Sequence, residues 1–323
     1  MSVRPRFAVL AVATTVTAGL LAVPGAAFAT GTTTALSAAE MAAALKEVAA
    51  ASTTAGSDGW KATETLSGDI SGTGAFVVDR AGGIAYDHFR AGSSVNAHYV
   101  VDRTGTFAYL TDAASRAAVK VMNRPSVRYV FTPSKTTSMQ RYVAENGPDP
   151  ATVLTEDTDH AGTKTLHDDG STGYTYQDDD GAAITLDASA DGVLNAAFVV
   201  DDGVKIVVTY TYGAQHQPLP AGSATVSSAD LKKAIAYRYL ADDVKAAATE
   251  GAAAARKSAH GRTVKVAALR KAVRRAGIKT NATIIKVTNI VGGAQVYATN
   301  PWTHKTVAYT VKASGKRVVV RKK

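Results

Sequence analysis

Aspartates gather beside glycines at Asp168-Asp169-Gly170, Asp178-Asp179-Asp180-Gly181 and Asp201-Asp202-Gly203, with Asp187 and Asp191 between them. Carboxylates at this density offer the oxygen ligands that calcium takes. None of these groups has the spacing of an EF-hand loop, and Asp-Gly is the commonest chemistry of a tight hairpin turn. Solvated turns are therefore the stronger reading and calcium the weaker. The seven histidines, His88, His98, His160, His167, His216, His260 and His304, show neither H-x-H nor H-E-x-x-H spacing. They read as surface or strand residues, and no metal site is expected. The chain has no cysteine, which removes a thiol nucleophile, a zinc ribbon, an iron-sulfur cluster and a lipid-modified cysteine together. G-x-S-x-G, S-x-x-K and a Gly-rich phosphate loop are absent as well. The expectation is a protein that is not an enzyme and binds no cofactor; a hydrolase with a dispersed Ser-His-Asp site is the weakest alternative.

Basic residues form the second chemical pattern. Residues 231–323 hold 21 Lys and Arg against 3 Asp and Glu, whereas residues 30–230 hold 13 against 24. Arg270, Lys271, Arg274 and Arg275 recur at helical spacing and fall largely on one face, and Arg321 and Lys322 add charge at the tail. Such a face suits an anionic membrane surface or a wall polymer; nucleic acid is not expected outside the cell. A solvated face that pairs with the acidic middle of the same chain is an equal alternative.

The elements that position these residues begin with an export signal. Arg4 and Arg6 precede an apolar run from Phe7 to Val23, and Ala27-Phe28-Ala29 is an A-x-A cleavage site. The mature protein is therefore expected to be secreted, with no lipid anchor. At 323 residues and 46% hydrophobic, the rest is long enough for about two domains with real cores. Ser37 to Glu40 is a capping box, followed by Met41, Leu45 and Val48 on one helical stripe. Short alternating runs follow at 74–78, 83–89, 95–101 and 106–110, then a helix over 112–122 with Ala117 and Val121 on one face, then a strand near 127–131. Residues 133–170 give little signal beyond a helical turn at 139–143. Clear hairpins return at 174–177, 183–187, 193–200 and 204–212, where Ile206, Val208, Tyr210 and Tyr212 alternate with polar or mixed residues. A helix capped by Ser228 carries Leu231, Ile235, Tyr239 and Val244. Its Ala-rich continuation over 246–259 reads as an exposed helix or linker. A basic helix from Val264 ends at Gly277 as a left-handed cap, and strands over 283–291, 294–299, 306–313 and 317–320 complete a small module.

This order of elements, with the hairpin segments Ile184 to Asp187, Gly192 to Leu194 and Val204 to Gly213, resembles the LolA-like lipoprotein-carrier superfamily over residues 34–225. More narrowly it resembles the exported actinobacterial lipid-binding proteins of the LppX and LprG type. The resemblance implies an α+β fold: a curved antiparallel half-barrel covered by helices, here followed by a small basic α+β module. The expected division is a signal peptide at 1–29, a half-barrel at 30–226, a helix or linker at 227–260 and the basic module at 261–323. It also implies a lipid or other apolar envelope molecule held between sheet and helices. Met41, Leu45 and Val48 would face Phe198, Ile206, Val208 and Tyr210 across that space. Many of the actinobacterial relatives carry a lipidated cysteine where this chain has Ala29-Thr30, so tethering is not expected here. The same apolar faces would equally fill a solid core, which makes a wall-associated scaffold with no ligand the alternative.

Overall fold

The computed structural model describes residues 31–155 and 159–323; the signal-peptide reading lies outside them. The chain divides into two units, one running to Thr111 and resuming over Phe131–Ala221, the other made of Asp112–Val130 and Gly222–Lys323.

In the first unit helix α1 (Ala38–Ala55) starts where Ser37 accepts from the Glu40 amide, while the Glu40 carboxylate accepts from the Ser37 amide at 2.8 Å. Its stripe of Met41, Leu45, Val48, Ala49 and Ser52 is buried. The sheet is built from β1 (Gly31–Leu36), β2 (Gly59–Gly68), β3 (Gly72–Asp79), β4 (Ile84–Ala91), β5 (Ser94–Val101), β6 (Gly105–Tyr109), β7 (Tyr129–Pro133), β8 (Gly162–His167), β9 (Thr172–Gln177), β10 (Ala183–Ala188), β11 (Leu194–Asp201) and β12 (Val204–Tyr212). Their order, β1-β8-β9-β10-β11-β12-β2-β3-β4-β5-β6-β7, joins two meanders at the β12–β2 pair and leaves a curved sheet unclosed. Helix α3 (Met139–Asn146) packs over β4 and β5, and α1 packs over β1, β8, β11 and the short α4 (Pro150–Val153). A buried hydrogen bond ties α1 down: Ser52 Oγ accepts from the Leu194 amide at 3.0 Å and donates to Val48 O.

The Asp-Gly segments are turns. Asp178 Oδ1 accepts from the amides of Asp180 and Ala182, Asp169 Oδ1 accepts from the amide and hydroxyl of Ser171, and Gly203 closes the β11–β12 hairpin at φ 79°. Among the described residues no three His, Asp or Glu side chains converge to hold a metal ion. Strands β1, β2 and β8 lie outside the runs expected from sequence. β1 is exposed along almost all of its length, so no apolar alternation marks it.

The second unit holds α2 (Ala113–Val121), a short β13 (Thr225–Ser227), α5 (Ser228–Ala236), α6 (Leu240–Ala259), α7 (Val266–Asn281) and the sheet β14 (Lys286–Ile290), β15 (Gly293–Thr299), β16 (Thr306–Ser314) and β17 (Arg317–Lys322) in sequential antiparallel order. Four sequence readings are corrected here. The Ala-rich stretch is not exposed: Ala247, Ala248, Ala252 and Ala255 are at most 2% exposed and form the core of this unit. Small side chains let α7 approach closely, and a Cβ on Gly251 would lie 2.6 Å from Val273 Cα. The single helix expected from Ser228 is two helices, capped by Ser227 and broken after Ala236, which leaves Ile235 and Tyr239 in solvent. Helix α7 passes through Gly277 rather than ending there, because Gly277 is a close-packing position, 3.0 Å from Val287 Cγ2 for an added Cβ. Helix α2 buries Ser115, Ala118 and Val119, not Ala117 and Val121, against α5.

Candidate functional site

Six of the seven apolar candidates meet. Met41, Leu45, Val48, Ile206, Val208 and Tyr210 belong to one core with Leu154, Leu186 and Leu194, and none is more than 8% exposed. Phe198 stands apart: Ala197 and Val199 supply the inner face of β11, so the period of two turns Phe198 to the other side, where it is half-buried opposite Val207. Under α1 these residues fill the interior; Met41 Cε would lie 2.8 Å from a Cβ on Gly162.

A different part of the same inner face carries polar chemistry. Strand register places Tyr210, Ala62, Phe76, Asp87 and His98 in one cross-strand row, and Val208, Glu64, Gly74, Phe89 and Asn96 in the next. Directly paired residues share a face, so Glu64, Asp87 and His98 lie on the side that Trp60, Phe76 and Val78 line. From α3, Tyr142 covers them, stacked on Phe76 at 6.0 Å and tilted against His98 at 5.2 Å, with its hydroxyl 3.5 Å from Asp87 Oδ2. Phe76 stacks in turn on Trp60 at 5.5 Å. Helix α3 is fixed above this floor by burial of Met139 and Val143 and by the Met139 amide donating to Asp102 Oδ1. Gly74 makes room for Glu64: a Cβ there would lie 3.0 Å from Glu64 Oε2.

Glu64, Asp87, His98 and Tyr142 are each half-buried. Desolvation, with the neighbouring Asp87 charge, pushes the Glu64 carboxyl up to about 7. Burial also raises Asp87, against the hydrogen bond from Tyr142, and raises the Tyr142 phenol itself. The same burial lowers His98 and favours its neutral ring. The result is an aromatic floor beneath groups held toward their uncharged forms, able to donate and accept hydrogen bonds to a polar, uncharged head while apolar surface contacts a chain. Sequence reasoning passed over Glu64, Asp87 and Tyr142 and took His98 as scattered. The usable signal was one acid in the alternating apolar series Trp60, Ala62, Glu64, Leu66, visible only once β2 is recognised as a strand.

The basic candidates separate into two groups. Arg270, Lys271, Arg274 and Arg275, with Ala267, Ile278 and Asn289, line an open groove of about 440 Å³ along α7. Arg270 is committed to structure: Nε donates to Gly293 O at 3.0 Å and Nη2 to Ile290 O at 2.7 Å. Lys271, Arg274 and Arg275 are exposed and make no ion pair among the described residues. Arg321 and Lys322 sit on β17 opposite Thr310 and Tyr309, away from that groove.

No family model and no curated protein matches this chain. Solved structures that resemble it include an uncharacterized conserved protein from Thermus thermophilus, at 11% identity over 56% of this chain and 98% of that one, with a TM-score of 0.30. LprF from Mycobacterium bovis is similar at 13% identity over 55% of this chain and 97% of that one, also with a TM-score of 0.30.

Proposed function

We propose that this is an exported, non-enzymatic binding protein of the LolA-like kind, nearest in organisation to the LppX and LprG type. It holds an amphiphilic envelope molecule on the inner face of its curved sheet and attaches to an anionic envelope surface through the basic second unit. The observation that carries the reading is the half-buried group of Glu64, Asp87, His98 and Tyr142 over Phe76 and Phe89. The Glu64 carboxyl makes no hydrogen bond or ion pair within the protein among the described residues, and its oxygens are not cut off from solvent, so they are open to an outside partner. A ligand head seated there would supply one. An acyl chain gains about 0.8 kcal/mol per buried CH₂, so the floor needs no further polar motif. The ligand enters beside α3 rather than beneath α1, whose stripe is filled and held by Ser52.

The scaffold reading is favoured by one observation, the complete burial of Met41 and Leu45. Native mass spectrometry with organic extraction, on mature protein secreted by its own host, separates the two. A stoichiometric, extractable amphiphile supports the binding protein. A mass that stays apo after incubation with host lipids supports the scaffold.

A further inference from the structure

One exposed aliphatic side chain lines the α7 groove, and a second follows Ile290, whose carbonyl accepts from Arg270 of that groove. Val291, 90% exposed, stands at the tip of the β14–β15 hairpin, and Ile278, 60% exposed, lies on α7 itself. Turn chemistry does not call for valine, since polar residues and glycine dominate such tips. Core packing does not call for it at that exposure either. The tip is held in place, because Arg270 donates to Ile290 O and Gly293 O on the two sides of Val291-Gly292. Between tip and Ile278, Lys271, Arg274 and Arg275 present free positive charge. From Arg270 to Ile278 the helix rises about 12 Å at 1.5 Å per residue, so aliphatic groups end both sides of a short basic strip.

We propose that this strip docks flat on an anionic phospholipid bilayer, with Val291 and Ile278 entering the interface and Lys271, Arg274 and Arg275 meeting lipid phosphates. This deepens the envelope-attachment part of the proposed function and rests on it. Charge alone would serve a wall polymer just as well. The aliphatic ends distinguish the partner, since a hydrated polyanion gains nothing from them and a bilayer interface does. Each basic side chain near an anionic membrane is worth about 1 kcal/mol, or roughly five-fold in binding.

The test uses full-length mature protein in vesicle co-sedimentation, with phosphatidylcholine vesicles, with vesicles containing phosphatidylglycerol, and with polyphosphate as a lipid-free polyanion. Binding to the phosphatidylglycerol vesicles is expected to fall about a hundred-fold in K271Q/R274Q/R275Q. In V291S/I278S it should fall about ten-fold while polyphosphate binding is unchanged. All five positions are exposed, and circular dichroism with urea unfolding verifies that each variant keeps the fold. Vesicle binding indifferent to V291S/I278S would overturn the bilayer assignment and leave a polyanion-binding face suited to wall polymer. Absence of binding to both vesicles and polyphosphate would overturn envelope attachment itself, a separate result.

Discussion

Replacing Glu64 with glutamine removes a charge that the native state resists while keeping a side chain of similar size over Gly74. A carboxyl whose pKa rises from 4.5 in the unfolded chain to about 7 in the fold binds its proton more tightly when native. The stability of the wild-type protein must therefore be highest below pH 4.5 as far as this group is concerned, and fall as pH rises toward 7. At about 1.4 kcal/mol per pH unit between the two values, the full loss would be roughly 3 kcal/mol. The carboxyl is only half-buried, and water screening brings the expected figure to about 1–2 kcal/mol. Glu64→Gln has no proton to lose, so above pH 7 it should exceed the wild type by that amount, or by about 2–8 °C in melting temperature for a unit of this size. At pH 4.5 the two should nearly coincide. Urea unfolding from pH 4.5 to 8, followed by tryptophan fluorescence in a Trp302→Phe background so that Trp60 of the first unit reports, measures both curves. Parallel curves with a constant gap would refute the claim that Glu64 is desolvated. A variant that loses stability as pH rises toward 8 just as the wild type does would locate the titration elsewhere, at Asp87, for example.

Three further outcomes follow from packing. Ser52→Ala leaves the buried Leu194 amide without its acceptor and should cost about 1–3 kcal/mol in urea unfolding of the first unit; an unchanged midpoint would show that α1 is not held there. Gly251→Ala would normally gain about 1 kcal/mol of helix propensity, but its Cβ meets Val273 Cα at 2.6 Å, so a lower calorimetric melting temperature is expected and a higher one would contradict the close α6–α7 contact. Arg270→Gln loses two charged hydrogen bonds to carbonyls and should cost about 1–3 kcal/mol, whereas exposed Lys271→Gln should stay within about 0.5 kcal/mol. Equal effects in denaturant titrations would remove the distinction drawn between these neighbours.

Much of the first unit was legible because its signals are local. The Ser37–Glu40 capping box needs only four residues, and the Asp-Gly turns fix the hairpins from β10 to β12. The candidate site was not legible, since its members meet only through register. Asp87 and His98 are opposite one another by the pairing of β4 with β5, and Glu64 joins them through β2 and β3. Helix α6 was misread for a different reason. Its buried face is alanine and glycine, which give a weak hydrophobic pattern but allow a close helix contact in the second unit. Strand β1 offers Thr and Gly at the sheet edge, where little is buried and no alternation is required, and its neighbour β8 is half-buried along most of its length, so it shows no clean alternation either.

The central claim is that an amphiphile sits on the inner face at Glu64 and Phe89, beside the Tyr142 ring that already covers Phe76, and photolabelling maps that position directly. A monoacylglycerol bearing an alkyl diazirine, whose head is polar and uncharged, would be irradiated with the mature protein and the adducts located by peptide mass spectrometry. The account predicts saturable adducts on Glu64, Asp87 or Tyr142, diminished by excess unlabelled monoacylglycerol. Adducts confined to α1 and β11, or labelling that excess monoacylglycerol does not compete, would contradict it.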